Sequence, residues 1–129
     1  MQVKYINPFL HASVNLFRDY IGIELSHDAP FVNPEPQNLL EVSGIIGLAG
    51  ETAGAVVLSF ERDTAIQVIS KLTGKPYQGL SSEVLDGVGE LVNIIAGNAK
   101  KDLLEFRIAI SLPGVITGHE YRIKWPANV

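Results

Sequence analysis

Three side chains in the segment 81–98 have types and spacing that could do chemistry: Asp86, Glu90 and Asn93. A helix turns by about 100° per residue, so these three fall within an arc of roughly 60° along about 10 Å of axis. Ser82, Glu83, Gly97, Lys100 and Lys101 extend the same stripe. Leu85, Val88, Leu91, Val92, Ile95 and Ala99 take the opposite side and are expected to face the core. Two acids and an amide therefore stand in line on an exposed face. A carboxamide has a donor end and an acceptor end, which suits it to holding and orienting a water. The plain alternative is a solvated polar face, which any amphipathic helix carries. Two features speak against that alternative. Gly87, Gly89 and Gly97 sit in or beside the stripe, although glycine costs about 1 kcal/mol against alanine inside a helix. Removing side-chain bulk there lets another surface come close. Asp86 and Glu90 are also like charges four residues apart, an arrangement that mildly weakens a helix.

Other chemistries fit less well. A glycosidase pair needs its carboxyls about 5–9.5 Å apart across a cleft, and two acids from one exposed helical face make no cleft. His11, His27 and His119 lack the spacing of a metal site and read as surface or packed histidines. Gly44, Gly47 and Gly50 recur in a strand and its turn, without the strand–turn–helix context of a dinucleotide loop, and are expected to ease close strand packing. Gly74-Lys75 lacks the earlier glycine of a P-loop. Ser13, Ser26 and Ser43 have no neighbouring His and Asp to activate them.

Composition narrows the classes further. The 129 residues suit one domain, and the chain has no cysteine, which removes disulfides, thiol catalysis and thiolate metal sites. The formal net charge is −4 with Lys and Arg scattered, so a nucleic-acid partner is not expected. No apolar run approaches the ~18–20 residues that span a bilayer. The N-terminus lacks a basic start followed by an apolar stretch. A soluble, cytoplasmic protein without a membrane partner is the expectation.

The elements that must position the stripe can be read along the chain. Asn7 and Pro8 suit an N-cap and first helical position, and an apolar helical pattern follows from Phe9 to Ile21, ending near Gly22. Pro30, Pro34 and Pro36 make the stretch 26–36 irregular. From Leu39, the residues Leu40, Val42, Ile46 and Leu48 alternate as a strand, Gly50-Glu51-Thr52 forms a turn, and 55–60 pairs back as a hairpin. A second helix is expected from Arg62 to Leu72, stopped by Gly74 and Pro76. The third starts after Ser81 as N-cap and runs to Gly97 or as far as Leu104. Two strands follow, over 107–112 and, after Pro113-Gly114, over 121–125, with Tyr121 and Trp125 as core or dimer-contact aromatics. The order implies an α+β fold: a largely antiparallel sheet with helices packed on one face, in a single domain over 1–129.

Asp86-x3-Glu90-x2-Asn93, followed by Ile95-x-Gly97, resembles the signature helix of the CheC/CheX/FliY phosphatases. The start, Tyr5-Ile6-Asn7-Pro8-Phe9, and the run from Asn93 to Lys100 resemble the CheX type specifically. That resemblance covers nearly the whole chain. It implies a CheX/CheC-like fold and removal of phosphate from the aspartyl-phosphate of a CheY-like response regulator, in chemotaxis or two-component signalling. It implies Glu90 and Asn93 as catalytic residues and Asp86 as a binding residue at the rim. Asn93 would orient the attacking water, and Glu90 would pair with the regulator's active-site Lys. No cofactor or metal of the chain's own is implied, since Mg2+ belongs to the receiver domain. A homodimer is expected on the same ground. The alternative is a non-catalytic receiver-binding or dimerisation domain of the same fold.

The chain departs from the family in three places. The first helix, from Phe9 to Asn15, lacks the Glu of a second signature helix, so one site is expected. The family's proline downstream of the Asn has its nearest counterpart in Pro113, at slightly short spacing. CheX-like domains generally continue with more strand after a segment such as 121–129.

Overall fold

The computed structural model describes residues 3–31, 38–51, 53–103, 107–119 and 121. The chain opens with helix α1, Val3–Leu16, which widens into a π turn over Phe17–Ile21. A hairpin follows, β1 Val42–Gly50 and β2 Gly54–Phe60. Helices α2, Arg62–Thr73, and α3, Ser82–Lys101, come next, then short strands β3, Ile108–Ile110, and β4, Gly114–Thr117. The α+β expectation holds, with every strand pair antiparallel.

β1 is the central strand. β2 lies along one edge, with Val42 opposite Phe60 and Leu48 opposite Gly54. β3 and β4 share the other edge, β3 pairing with Leu48–Gly50 and β4 with Val42–Ile45. Between the pairs Leu48–Ile110 and Ile45–Gly114, three residues (111–113) face two of β1 (46–47). That extra residue is a bulge, and Ser111 holds it. The Ser111 amide donates to the Gly47 carbonyl at 3.0 Å, and its hydroxyl accepts from the Gly47 amide at 2.8 Å. The side-chain oxygen thus replaces a carbonyl that the bulge has turned away.

The helices lie on one face of the sheet. Val42, Ile46 and Leu48 point into the core at period two, as expected. Leu40 does not join them; it is exposed and precedes the strand. Phe9 of α1 packs against all three buried clusters, including Val92 and Ala96 of α3 and Leu48 of β1. On the other face, the Tyr121 hydroxyl donates to Ser43 Oγ at 2.6 Å, and Ser43 bonds Ser59 Oγ at 2.8 Å. Ser43 is fully buried there.

Further expectations need correction. Helix α1 begins before Asn7, and Pro8 lies inside it. Pro8 has no N–H for the Lys4 carbonyl, but the extra turn lets Tyr5 pack on the cluster of Leu48, Leu103 and Ile108. The tight approach at Gly44 is that of a helix, not a strand: a Cβ there would meet the Val88 carbonyl oxygen at 3.1 Å and Val92 Cγ1 at 3.2 Å. At Gly50 the expected close strand approach holds: φ is +121°, and a Cβ would stand on the Arg107 carbonyl beside Ile108 of β3. The sequence places no strand between 112 and 121, yet β4 follows the bulge at once, over Gly114–Thr117. The expected strand over 121–125, with Trp125, together with Pro34, Pro36, Thr52 and Leu104, lies outside the described residues or, for Tyr121 itself, outside any strand.

Candidate functional site

Helix α3 is fixed at both ends and along its buried side. Ser81 caps the start, its hydroxyl accepting from the Val84 amide at 3.3 Å. Glu83 in the first turn accepts from the Tyr77 hydroxyl at 2.8 Å, which ties the preceding loop to the helix. Lys100 and Lys101 sit in the last turn, where the helix dipole favours cations. The helix ends at Lys101, between the two stops the sequence allows. Val84, Val88, Leu91, Val92, Ile95 and Ala99 are buried and Leu85 is half-buried, so the core side is the one the periodicity predicts.

The opposite side carries the stripe. Asp86 and Glu90 are exposed and Asn93 is half-buried. Among the described residues, none of the three makes a side-chain hydrogen bond or an ion pair. The structure therefore places all three sequence-derived site residues on one open helical face, with their polar atoms unengaged. Such a face can orient water and meet charges on an approaching surface.

The three glycines of α3 prove unlike one another. A Cβ on Gly87 would fall 2.8 Å from Cγ2 of Ile69, a fully buried residue of α2. One on Gly89 would fall 3.2 Å from Val115 Cγ2 of β4. Both glycines thus let α3 close against its own fold, which corrects the expectation that their smallness serves another surface. At Gly97 a Cβ would meet none of the described residues within 4 Å.

The bulge brings Pro113 towards the side of α3 that carries the buried Gly89. Pro113 Cβ lies 4.0 Å from where a Cβ of Gly89 would stand, so this proline sits against α3 just ahead of Glu90. Its neighbour Leu112 is 91% exposed. Sequence spacing identified Pro113 only as the nearest downstream proline; its place depends on a register shift that spacing does not reveal.

The histidines do not converge. His11 is exposed, His27 Nδ1 lies 2.8 Å from the Asp28 carbonyl oxygen, and His119 Nε2 is 3.2 Å from Glu41 Oε1. Among the described residues no group of three or more His, Asp and Glu is arranged to hold a metal ion. An apolar groove of about 490 Å³ runs between α1, β2 and residues 28–31. It touches α3 only at Ile95, on the side away from the stripe. No described helix is long and apolar enough to cross a membrane.

With this geometry in hand, comparison with known proteins is informative. A sequence model described as "Chemotaxis phosphatase CheX" matches residues 42–129. The chain belongs to the CheX family. It is 28% identical over 127 residues to the CheY-P phosphatase CheX of Thermotoga maritima, a match covering 96% of this chain and 82% of that one. Among solved structures, a CheC-like superfamily protein from Shewanella sp. PV-4 superimposes with a TM-score of 0.87 at 31% identity, covering 96% of this chain and 82% of that one. The chemotaxis protein CheX of Vibrio vulnificus gives 0.83 at 31% identity, with 93% and 82% covered. A CheX–CheY–BeF3–Mg2+ complex from Borrelia burgdorferi gives 0.68 at 32% identity, with 90% and 78% covered. The expected resemblance to the CheX type is thereby shown at the level of the family.

Proposed function

We propose that this chain is a phosphatase that hydrolyses the aspartyl-phosphate of a CheY-like response regulator. The observation that carries the reading is the α3 stripe: Asp86, Glu90 and Asn93 in line on a rigid helix, open to a partner and engaged by nothing in the chain's own described structure. The CheX relative of Thermotoga maritima acts on CheY-P, and the Borrelia burgdorferi protein forms a complex with CheY.

In this reading the chain supplies position rather than a nucleophile of its own. Asn93 accepts a hydrogen bond from a water through its amide oxygen or donates to it through its nitrogen, and so holds it in line with the scissile P–O bond. The water oxygen bonds to phosphorus, the bond from phosphorus to the aspartyl oxygen breaks, and the aspartyl group leaves as a carboxylate. The water's protons pass to the phosphate and solvent. Mg2+ in the receiver's acidic pocket neutralises charge on the phosphoryl oxygens when bound. Glu90, one turn from Asn93, pairs with the receiver's active-site Lys and fixes the docking register. Asp86, a further turn out, supports the contact at the rim.

The test is multiple turnover. A small amount of this protein, mixed with excess phosphorylated receiver and Mg2+, is expected to release phosphate well beyond its own molar amount. Phosphate release at the receiver's spontaneous rate, with binding retained, would leave a receiver-binding domain in place of an enzyme.

A further inference from the structure

We propose that Ser111 is a positioning residue for the reaction: its hydroxyl locks the bulge that sets Pro113 and Val115 as a wall beside Asn93. This rests on the phosphatase reading above and adds to it which part of the fold holds the Asn93 amide in place.

A side chain that orients a water must itself be held, to within about 0.5 Å. Asn93 makes no side-chain hydrogen bond among the described residues, so packing has to hold it. Asp86 and Glu90 are exposed, whereas Asn93, on the same helical face, is half-buried. A neighbour beside the helix therefore covers part of it. Helical side chains lean towards the helix N-terminus, over the residue one turn earlier. For Asn93 that residue is Gly89, about 40° away around the helix. Gly89 has no side chain of its own. Val115 Cγ2 and Pro113 Cβ stand 3.2 and 4.0 Å from where its Cβ would be. Both residues are half-buried. They form the flank against which the Asn93 side chain rests.

The place of that flank depends on the bulge, in which residues 111–113 face only 46–47 of β1. A bulge breaks the strand ladder, and Ser111 supplies the missing partner. Its hydroxyl accepts from the Gly47 amide at 2.8 Å and donates to the Leu112 carbonyl at 3.0 Å. Its own amide donates to the Gly47 carbonyl at 3.0 Å. Gly47 leaves room for this clamp, since a Cβ there would fall 3.3 Å from Ser111 Oγ. Ser111 is exposed and adds nothing to the buried core. What its hydroxyl fixes is the path of the chain from β3 to Pro113 and Val115. Without it, the Gly47 amide and the Leu112 carbonyl lose their partner, and the wall beside Asn93 is free to shift.

The test compares Ser111→Ala with Ser111→Thr, which keeps the hydroxyl. The readouts are kcat and KM for phosphate release, Kd for a receiver loaded with beryllofluoride and Mg2+, and the NMR signals of the Asn93 side-chain amide. All are taken well below the melting temperature of each variant. Ser111→Ala is expected to lower kcat about tenfold, the scale of a small misalignment at the reacting centre, and to shift the Asn93 signals. KM and Kd are expected to stay within about twofold of the parent, because the face that meets the receiver is unchanged. Ser111→Thr is expected to restore both kcat and the Asn93 signals. Pro113→Ala removes the ring and leaves the clamp; it is expected to lower kcat likewise, and it carries the test if Ser111→Ala does not fold. A parental kcat in either folded alanine variant would overturn the proposal. So would equal losses in Ser111→Ala and Ser111→Thr, a loss confined to KM, or a fall in kcat with the Asn93 signals unmoved. If the parent binds the receiver but releases no phosphate, the phosphatase reading fails, and the Asn93 signals alone decide whether Ser111 positions that side chain.

Discussion

The two sides of α3 are under different constraints. On the core side, Val88 and Val92 lie so close to β1 that a Cβ on Gly44 would crowd them, and Ile69 and Val115 occupy the space beside Gly87 and Gly89. On the outer side, Asp86, Glu90 and Asn93 have no side-chain partners among the described residues, and none of those residues comes within 4 Å of where a Cβ of Gly97 would stand. Close packing accounts for the buried residues of the first side and not for Asp86, Glu90 and Asn93 on the second. Residues that the fold does not need are those most free to serve a partner. Mutations on the two sides should therefore separate stability from activity.

The largest effect is expected on the core side. Leu91 is fully buried, and Leu91→Ala should cost about 3 kcal/mol of stability through lost burial and the cavity left behind. Urea unfolding measures this, and phosphate release per folded molecule should stay near the parent value. Glu90→Ala, on the outer side, should leave unfolding unchanged and weaken binding of a beryllofluoride-loaded receiver by about 2 kcal/mol, roughly thirtyfold in Kd, by removing one member of an interfacial charge pair. Titration calorimetry reads it, and unchanged Kd with unchanged turnover would exclude the pairing. Ser81→Ala should lower stability by about 0.5–1 kcal/mol through loss of the cap, at the weak end because its hydrogen bond is 3.3 Å long. Thermal unfolding detects that change, and KM and kcat should not move, since Asp86, Glu90 and Asn93 all lie more than a turn away.

Much of this division was legible in the sequence. The 3.6-residue period placed Leu91 and Val92 inside and Asp86, Glu90 and Asn93 outside, and the local chemistry of Ser81 and Gly74 marked one helix start and one stop. The misreadings share a physical cause. Pro8 carries a strong local signal for a helix start, and Pro113-Gly114 hides the strand that begins at Gly114; tertiary contacts decide both places. Tyr5 gains more from packing on Leu48 and Ile108 than the helix loses at Pro8. The Ser111 hydroxyl and the contact near Gly89 hold Pro113 in a bulge. Glycines are ambiguous for a different reason. A sequence shows that a side chain is missing but not what occupies its place, so Gly87, Gly89 and Gly97 look alike until their surroundings are known.

The central claim is that Asn93 positions the attacking water and does little else. It is tested most directly by Asn93→Ala, with hydrolysis and binding measured on the same protein. The single-turnover rate with phosphorylated receiver should fall about a hundredfold, the scale of losing alignment at the reacting centre. Kd for the beryllofluoride-loaded receiver should stay within about twofold, and stability within about 0.5 kcal/mol, as for other surface substitutions. A parental rate would remove Asn93 from the chemistry, and a loss explained wholly by weaker binding or unfolding would make it a docking or structural residue instead.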